Sequence, residues 1–363
     1  MNIPKYARYN YCCEMANEFL VNENITSLPF DADTIIKKHK WAKLKYSSLA
    51  KQHNITIRDI SEAYGSNDAY TIFNGRNYTI AYNDTLYAKR RIYFTKLHEI
   101  GHIYLKHFTD FNETILSRYN MTKTQYKVLE NEANCFARNV LIPPILIKES
   151  GLKNIYKLSS IFEITKPAAK TRLDLLTDDL KCLSNNTKIL QKKFFYNFIH
   201  KKHCSNCGYT FISERAKYCP VCGENKLSRG DANMTIDFNN DGIELNDNGK
   251  ASKCPNCKNK EMEEDGSHCR ICGVYLINKC TNKDGIHGED ERGYDIEIKP
   301  KCGKIAAGNA RFCEYCGEPT TFYIQGLLKD WKTGKTYSEL QKEKAEEEAA
   351  AQKQSLDDGD LPF

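Results

Sequence analysis

Of the 16 cysteines in this 363-residue chain, only Cys12, Cys13, Cys135 and Cys182 lie before residue 204. The others fall between 204 and 316, mostly as C-x2-C pairs, and they divide the chain into a part that can bury an apolar core and a part that needs metal or cross-links instead. Cys204 and Cys207 with Cys219 and Cys222 form one set, and Cys254 and Cys257 with Cys269 and Cys272 form a second. Paired knuckles about a dozen residues apart are what a tetrahedral thiolate zinc site requires. Gly208, Gly223 and Gly273 follow knuckle cysteines, where the turn is tight. The third set is irregular: Cys313 and Cys316 form an intact knuckle, but the partners must be Cys302 and Cys280, across the polar insert 281–301. We read it as a split ribbon, with His287 as the substitute ligand and loss of zinc at this set as the alternative. Disulfides compete for so many cysteines. Met1 to Leu20 is polar, without the apolar core of a secretory signal, and no run approaches the ~20 apolar residues of a membrane span. A reducing cytoplasm is therefore expected, which favours thiolate and zinc over disulfide.

The first half of the chain carries a different metal pattern, His98-Glu99-Ile100-Gly101-His102. Helical residues i and i+4 share a face, so His98 and His102 can offer neutral nitrogens to one Zn2+. Glu99 is then placed as general base toward water in the remaining position, and the implied chemistry is hydrolysis of a peptide bond. A surface helix with two solvated histidines is the competing reading. The apolar flanks Arg91-Ile92-Tyr93-Phe94 and Ile103-Tyr104-Leu105 weigh against it, because a buried unpaired His or Glu is costly.

Such a site needs a third protein ligand. A histidine six residues past the second one is excluded, since that position is Phe108, with Leu105 where the accompanying glycine would be. His107 is five residues from His102, roughly 140° off the ligand face, and is a poor candidate. Between Thr124 and Ile142, Tyr126, Ala133, Ala137 and Leu141 make an apolar stripe in which Glu130 is embedded. Glu130 is the expected ligand, with Asn134, one turn on, expected to hydrogen-bond a ligand histidine. Glu132 points to the opposite side of this wheel and reads as a solvated acid, with a ligand role as the fallback.

Arg91 to His102, followed by Glu130-Asn131-Glu132-Ala133-Asn134-Cys135-Phe136-Ala137 and Leu141-Ile142-Pro143, resembles the ImmA/IrrE-type zinc metallo-endopeptidases over about residues 1–180. The resemblance implies a zincin-like fold, His98, His102 and Glu130 on zinc, and a catalytic Glu99. It also implies a substrate class, helix-turn-helix repressors of mobile elements and stress responses.

Around these motifs, residues 11–22 and 31–45 are expected to be helical, with Asp31 or Asp33 as a cap after Leu28-Pro29-Phe30. Residues 69–73 and 78–82 read as a hairpin about Asn74-Gly75, and a strand at 77–82 is a candidate edge for pairing with extended peptide. After Pro143-Pro144 the pattern is helical to about 198. Residues 158–173 have the rhythm of a helix-turn-helix with Lys170 and Arg172 on the second helix, although packed helical pairs look the same.

Positive charge is concentrated in residues 1–200, whereas 201–320 is near neutral and 321–363 is acidic. Four thiolates on one zinc add further negative charge, so the ribbon array suits protein docking better than nucleic acid, with Lys201, Lys202, Arg215 and Lys217 the exception. The blandest reading makes the ribbons metal-stabilised spacers. The terminal Asp357, Asp358, Asp360, Leu361, Pro362 and Phe363 resemble the acidic tip of bacterial single-stranded DNA-binding proteins, which implies a docking partner; a disordered acidic tail is the alternative.

The expected architecture is α+β. A zincin-like metallopeptidase domain at 1–190 is followed by zinc ribbons at 200–228 and 250–277, a split ribbon at 278–320, and a flexible, partly helical tail at 321–363. Zinc is the expected cofactor, one catalytic ion and two to three structural ones. A protein substrate is the expected partner, with no membrane.

Overall fold

The computed structural model describes residues 3–87, 89–116, 121–230, 242–261 and 266–357, and for 352–357 the backbone only. They divide into two compact units, Met1–Ile199 and His200–Phe363. The structure mixes helix and sheet, and no helix among the described residues is long and apolar enough to cross a membrane.

The first unit begins with α1 (Tyr9–Asn22), α2 (Ala32–Lys38), β1 (Ala42–Lys45), α3 (Tyr46–His53) and α4 (Ile57–Tyr64). Asp31 accepts from the Asp33 N–H and caps α2. The helix expected over 31–45 stops at Lys38; Lys40 adopts positive φ, and residues 42–45 pair in parallel with a later strand instead. Next come β2 (Ala69–Phe73) and β3 (Tyr78–Tyr82), antiparallel with Ala69 opposite Tyr82 and Phe73 opposite Tyr78. Sheet order is β1-β3-β2, so β3 is the central strand and cannot offer the peptide-binding edge expected at 77–82. The edges are β1 and, on the other side, β2. The C-terminal end of β2 is occupied by an Ile72–Ile115 bridge and by the Phe73 N–H donated to the Thr114 carbonyl. No strand among the described residues pairs along the outer side of Ala69–Thr71.

The chain continues through α5 (Lys89–Tyr104), α6 (His107–Asp110) and α7 (Lys123–Leu141), the last opened by a capping box between Thr122 and Gln125. It closes with α8 (Pro144–Ser150), α9 (Ile155–Ile161), α10 (Lys166–Asp174), α11 (Leu176–Cys182), α12 (Asn185–Phe194) and α13 (Tyr196–His200). Phe19, Leu97, Ile100, Phe136, Val140 and Leu146 are buried together in one core, with α7 held between α1 and α5. A smaller cluster of Tyr46, Ile60, Tyr70 and Ala81 lies under α3 and α4.

Helices α9 and α10 occupy the expected helix-turn-helix segment, but Arg172 is not a DNA-facing cation. It is 1% exposed and its guanidinium donates to Asp179 at 2.6 Å, where Arg138 also binds through two bonds. The cysteines that are scattered in sequence meet there, with the Sγ atoms of Cys13 and Cys135 3.8 Å apart. Two guanidiniums against one carboxylate leave a positive excess. Hydrogen bonds from Cys12 and Cys13 and the field of Arg138 lower the Cys135 thiol pKa.

In the second unit β4 (Lys201–Cys204) pairs antiparallel with β5 (Thr210–Ile212) and β6 (Leu227–Arg229), and β7 (Ile286–Glu289) with β8 (Asp295–Lys299). Helices α14 (Thr321–Ile324) and α15 (Tyr337–Asp357) follow. The insert 281–301 is thus largely a hairpin. The three cysteine sets are not separate beads: the N–H groups of Lys217 and Tyr218 donate to Glu314 O, and those of Arg311 and Phe312 donate to Pro220 O. Residues assigned to the tail from 321 also begin inside this body. Phe322, Tyr323 and Leu328 are buried with Ala251, Cys254, Cys269 and Leu276, because the second cysteine set has too few apolar residues of its own to cover. Asp357 ends α15, and Asp358, Asp360, Leu361, Pro362 and Phe363 lie outside the described residues.

The crossing of α5 and α7 is set by Gly101. A Cβ there would lie 2.9 Å from the Phe136 ring and 3.4 Å from the Ala133 carbonyl oxygen. Gly101→Ala is expected to destabilise the first unit by about 1–3 kcal/mol in chemical denaturation, through overpacking, in spite of the higher helix propensity of alanine.

Candidate metal centre

The 3.6-residue repeat places His98 and His102 on the same face of α5, and the α5–α7 packing brings Glu130 of α7 against both. The two Nε2 atoms are 3.0 Å apart. Glu130 reaches them with one carboxylate oxygen each, at 3.4 Å from His98 and 3.5 Å from His102. Tetrahedral ligands at ordinary Zn–N and Zn–O distances lie roughly 3.3 Å from one another, so these separations fit a common ion.

The outer nitrogens of both rings are fixed. Asn134 Oδ1, an acceptor only, is 3.0 Å from His98 Nδ1, so Nδ1 carries the proton and the Nε2 lone pair faces Glu130. His102 Nδ1 is 2.8 Å from His107 Nδ1, and His107 Nε2 is 3.0 Å from Glu132 Oε2. A carboxylate only accepts, so His107 donates to Glu132 through Nε2 and accepts from His102 through Nδ1. His102 thereby also turns a lone pair toward Glu130. Two ring nitrogens and a carboxylate converging at these distances are stabilised by a cation among them, a proton on His98 or a metal ion, which is the chemistry of a metal donor set.

Glu99 lies beside His98 and is 7% exposed. Thr71 of β2 donates to its Oε2 at 2.7 Å. Burial pushes the Glu99 carboxyl up to about 7, against the opposing effects of His98 and Thr71. Burial likewise holds His102 low, whereas at His98 Glu130 outweighs burial and raises the pKa. These groups open into a cleft of about 320 Å3, lined also by Asp68, Thr71, Phe94, Leu116 and Tyr126.

Glu132 departs from its sequence reading. It is fully buried, not solvated, and accepts from the Arg8 backbone N–H and from both the Nε and Nη2 of its guanidinium, at 2.8, 2.9 and 2.7 Å. The wheel of α7 assigned one buried face, but the helix has two, one toward α5 and one toward α1. Sequence reasoning also missed Arg8, Thr71 and the role of His107. The alternation of β2 gives a weak signal for Thr71; Arg8 is 124 residues from Glu132 and has none.

Each ribbon set closes into a cluster. Sγ–Sγ separations are 3.5 Å for Cys204–Cys222 and for Cys207–Cys219, 3.5 Å for Cys254–Cys272 and 3.6 Å for Cys257–Cys269. In the third set they are 3.3 Å for Cys280–Cys316 and 3.6 Å for Cys302–Cys313. Four sulfurs on a zinc are spaced at about 3.8 Å and a disulfide at about 2.05 Å, so these groups could hold metal and none is a disulfide. Cys13, Cys135 and Asp179 also lie close, but both Asp179 oxygens are bound by arginines. A cleft of about 560 Å3 on the first ribbon set is lined by Lys202, Lys217 and Arg229, although the Lys202 ammonium donates to the Ala216 carbonyl at 2.9 Å.

Residues 50–174 match the M78 peptidase family described as the IrrE N-terminal-like domain. The match spans the end of α3 through α10 and includes His98, Glu99, His102 and Glu130, and it supports a metallopeptidase-type function. No curated protein matches the chain.

Metal analysis checks the third cysteine set. If the cysteine sets hold metal, Cys302→Ser is expected to lower the metal content of the purified chain by about one ion and to leave that of the first and second sets unchanged.

Proposed function

We propose that the first unit is a zincin-like, zinc-dependent endopeptidase acting on a regulatory protein, with helix-turn-helix repressors of mobile elements or stress responses as the substrate class. The observation that supports it best is the convergence of His98, His102, Glu130 and Glu99 in one cleft beside the Ala69–Thr71 edge of β2, along which no described strand pairs. Zinc, when bound, would supply a Lewis acid that polarises the scissile carbonyl and makes water acidic enough to attack near neutral pH. His98 and His102 would hold it through Nε2 and Glu130 through its carboxylate. Glu99 takes the proton from the attacking water and passes it to the departing amine nitrogen. Thr71 fixes one Glu99 oxygen, so the base keeps its aim through both transfers. An extended substrate segment would pair with the Ala69–Thr71 edge of β2, which runs into the same cleft.

In the second unit we assign the three cysteine clusters to structural zinc ions that replace an apolar core. Its net negative charge, present before any metal is loaded, favours docking of a protein over nucleic acid. The acidic tip is assigned to the same role, as a short docking segment. A reducing, cytoplasmic location is assigned with these ions, because it keeps the cysteines as thiolates.

Glu99→Gln separates turnover from binding. The variant is expected to keep the zinc content of the wild-type chain and to lose cleavage by at least ~100-fold, read as new protein N-termini generated in a cell extract. Equal yields from the two proteins, or none from wild type, would leave the chain as a non-catalytic zinc-dependent regulator.

A further inference from the structure

We infer that Arg8, Glu132 and His107 form a positioning relay that sets the ring orientation and tautomer of His102, and so ties the segment leading into α1 to the metal centre. The inference rests on the reading of His98, His102 and Glu130 as a metal site. Its basis is an unbroken chain of bonds with one consistent assignment of donors. The Arg8 guanidinium and backbone N–H give three hydrogen bonds to Glu132, Glu132 accepts from His107 Nε2 at 3.0 Å, and His107 Nδ1 meets His102 Nδ1 at 2.8 Å. Each member has only one role open to it. A buried carboxylate already bound by a guanidinium accepts; the imidazole that donates to it through Nε2 must accept through Nδ1; the next imidazole must then donate through Nδ1 and present its Nε2 lone pair.

Burial makes the chain strict. Glu132 and His107 are both 0% exposed, so water cannot replace a missing partner, and Glu132 without Arg8 would be an unpaired buried charge. Among the described residues the hydrogen bond at His102 Nδ1 is made to His107, whereas His98 is held independently by Asn134. The two ligands of α5 are therefore positioned by different means: one within the α5–α7 pair, the other from the chain start through α6.

The relay predicts a metal affinity that depends on residues that cannot touch the metal. In the full chain, zinc bound at this centre is counted as the equivalent lost in His98→Ala, and its affinity is measured by competition with graded chelators. His107→Leu is expected to weaken that zinc 10–100-fold. His107→Gln, whose amide can accept from His102 and donate to Glu132, is expected to recover most of the loss. Circular dichroism checks that helix content is unchanged, and 15N spectra of the histidine rings report whether His102 keeps its proton on Nδ1. If His107→Leu does not fold, Arg8→Gln is read in the same assay, with a loss of roughly threefold or more expected. Unchanged affinity and an unchanged His102 ring signature in the folded variants would overturn the relay. A wild-type chain that loses no zinc on His98→Ala would instead overturn the metal-centre reading itself.

Discussion

The first unit depends on how closely α5 and α7 approach each other. Neither helix carries a complete site: His98, Glu99 and His102 are on one, and Glu130 and Asn134 on the other. Only a hydrogen atom at position 101 lets the Phe136 ring and the Ala133 carbonyl come as near as they do, and that approach sets the distance from both imidazoles to Glu130. The apolar core around Leu97, Ile100, Phe136 and Val140 supplies the cohesion that keeps the donor groups together. Cohesion comes from one face of each helix and the polar donors from the other, and the cleft lies where the two meet.

Polar groups in this core are arranged in chains that end on a charge of opposite sign. Glu132 is paired with Arg8, and Asp179 with Arg138 and Arg172. Burial of each carboxylate is tolerated because a guanidinium meets it. The outcome is a site whose imidazoles are oriented before any ion arrives.

The second unit solves the same problem with less hydrocarbon. Its apolar clusters are small, and the cysteines themselves are members of them: Cys254 and Cys269 pack with Phe322 and Tyr323, and Cys204, Cys207 and Cys219 with Val221. Main-chain hydrogen bonds from residues 217–218 and 311–312 join the first set to the third. The three clusters therefore support one body, and the segment after 320 completes it.

Much of this was readable from the residues in order. Spacing alone put His98 and His102 on one face, grouped the cysteines into sets, marked the hairpin at Asn74-Gly75 and capped α2 at Asp31, because each depends on contacts within a few residues. The helical stripe likewise brought Glu130 and Asn134 toward α5. What tertiary structure decided were the contacts that no local period encodes. Strand order made β2 rather than β3 an edge, since that depends on where residues 42–45 pair. The second buried face of α7 turned Glu132 from a surface acid into the anchor of Arg8 and His107, and the burial of Arg172 removed it from any nucleic-acid surface. A sequence states which groups a helix carries; how many of its faces are covered is fixed only when its neighbours pack.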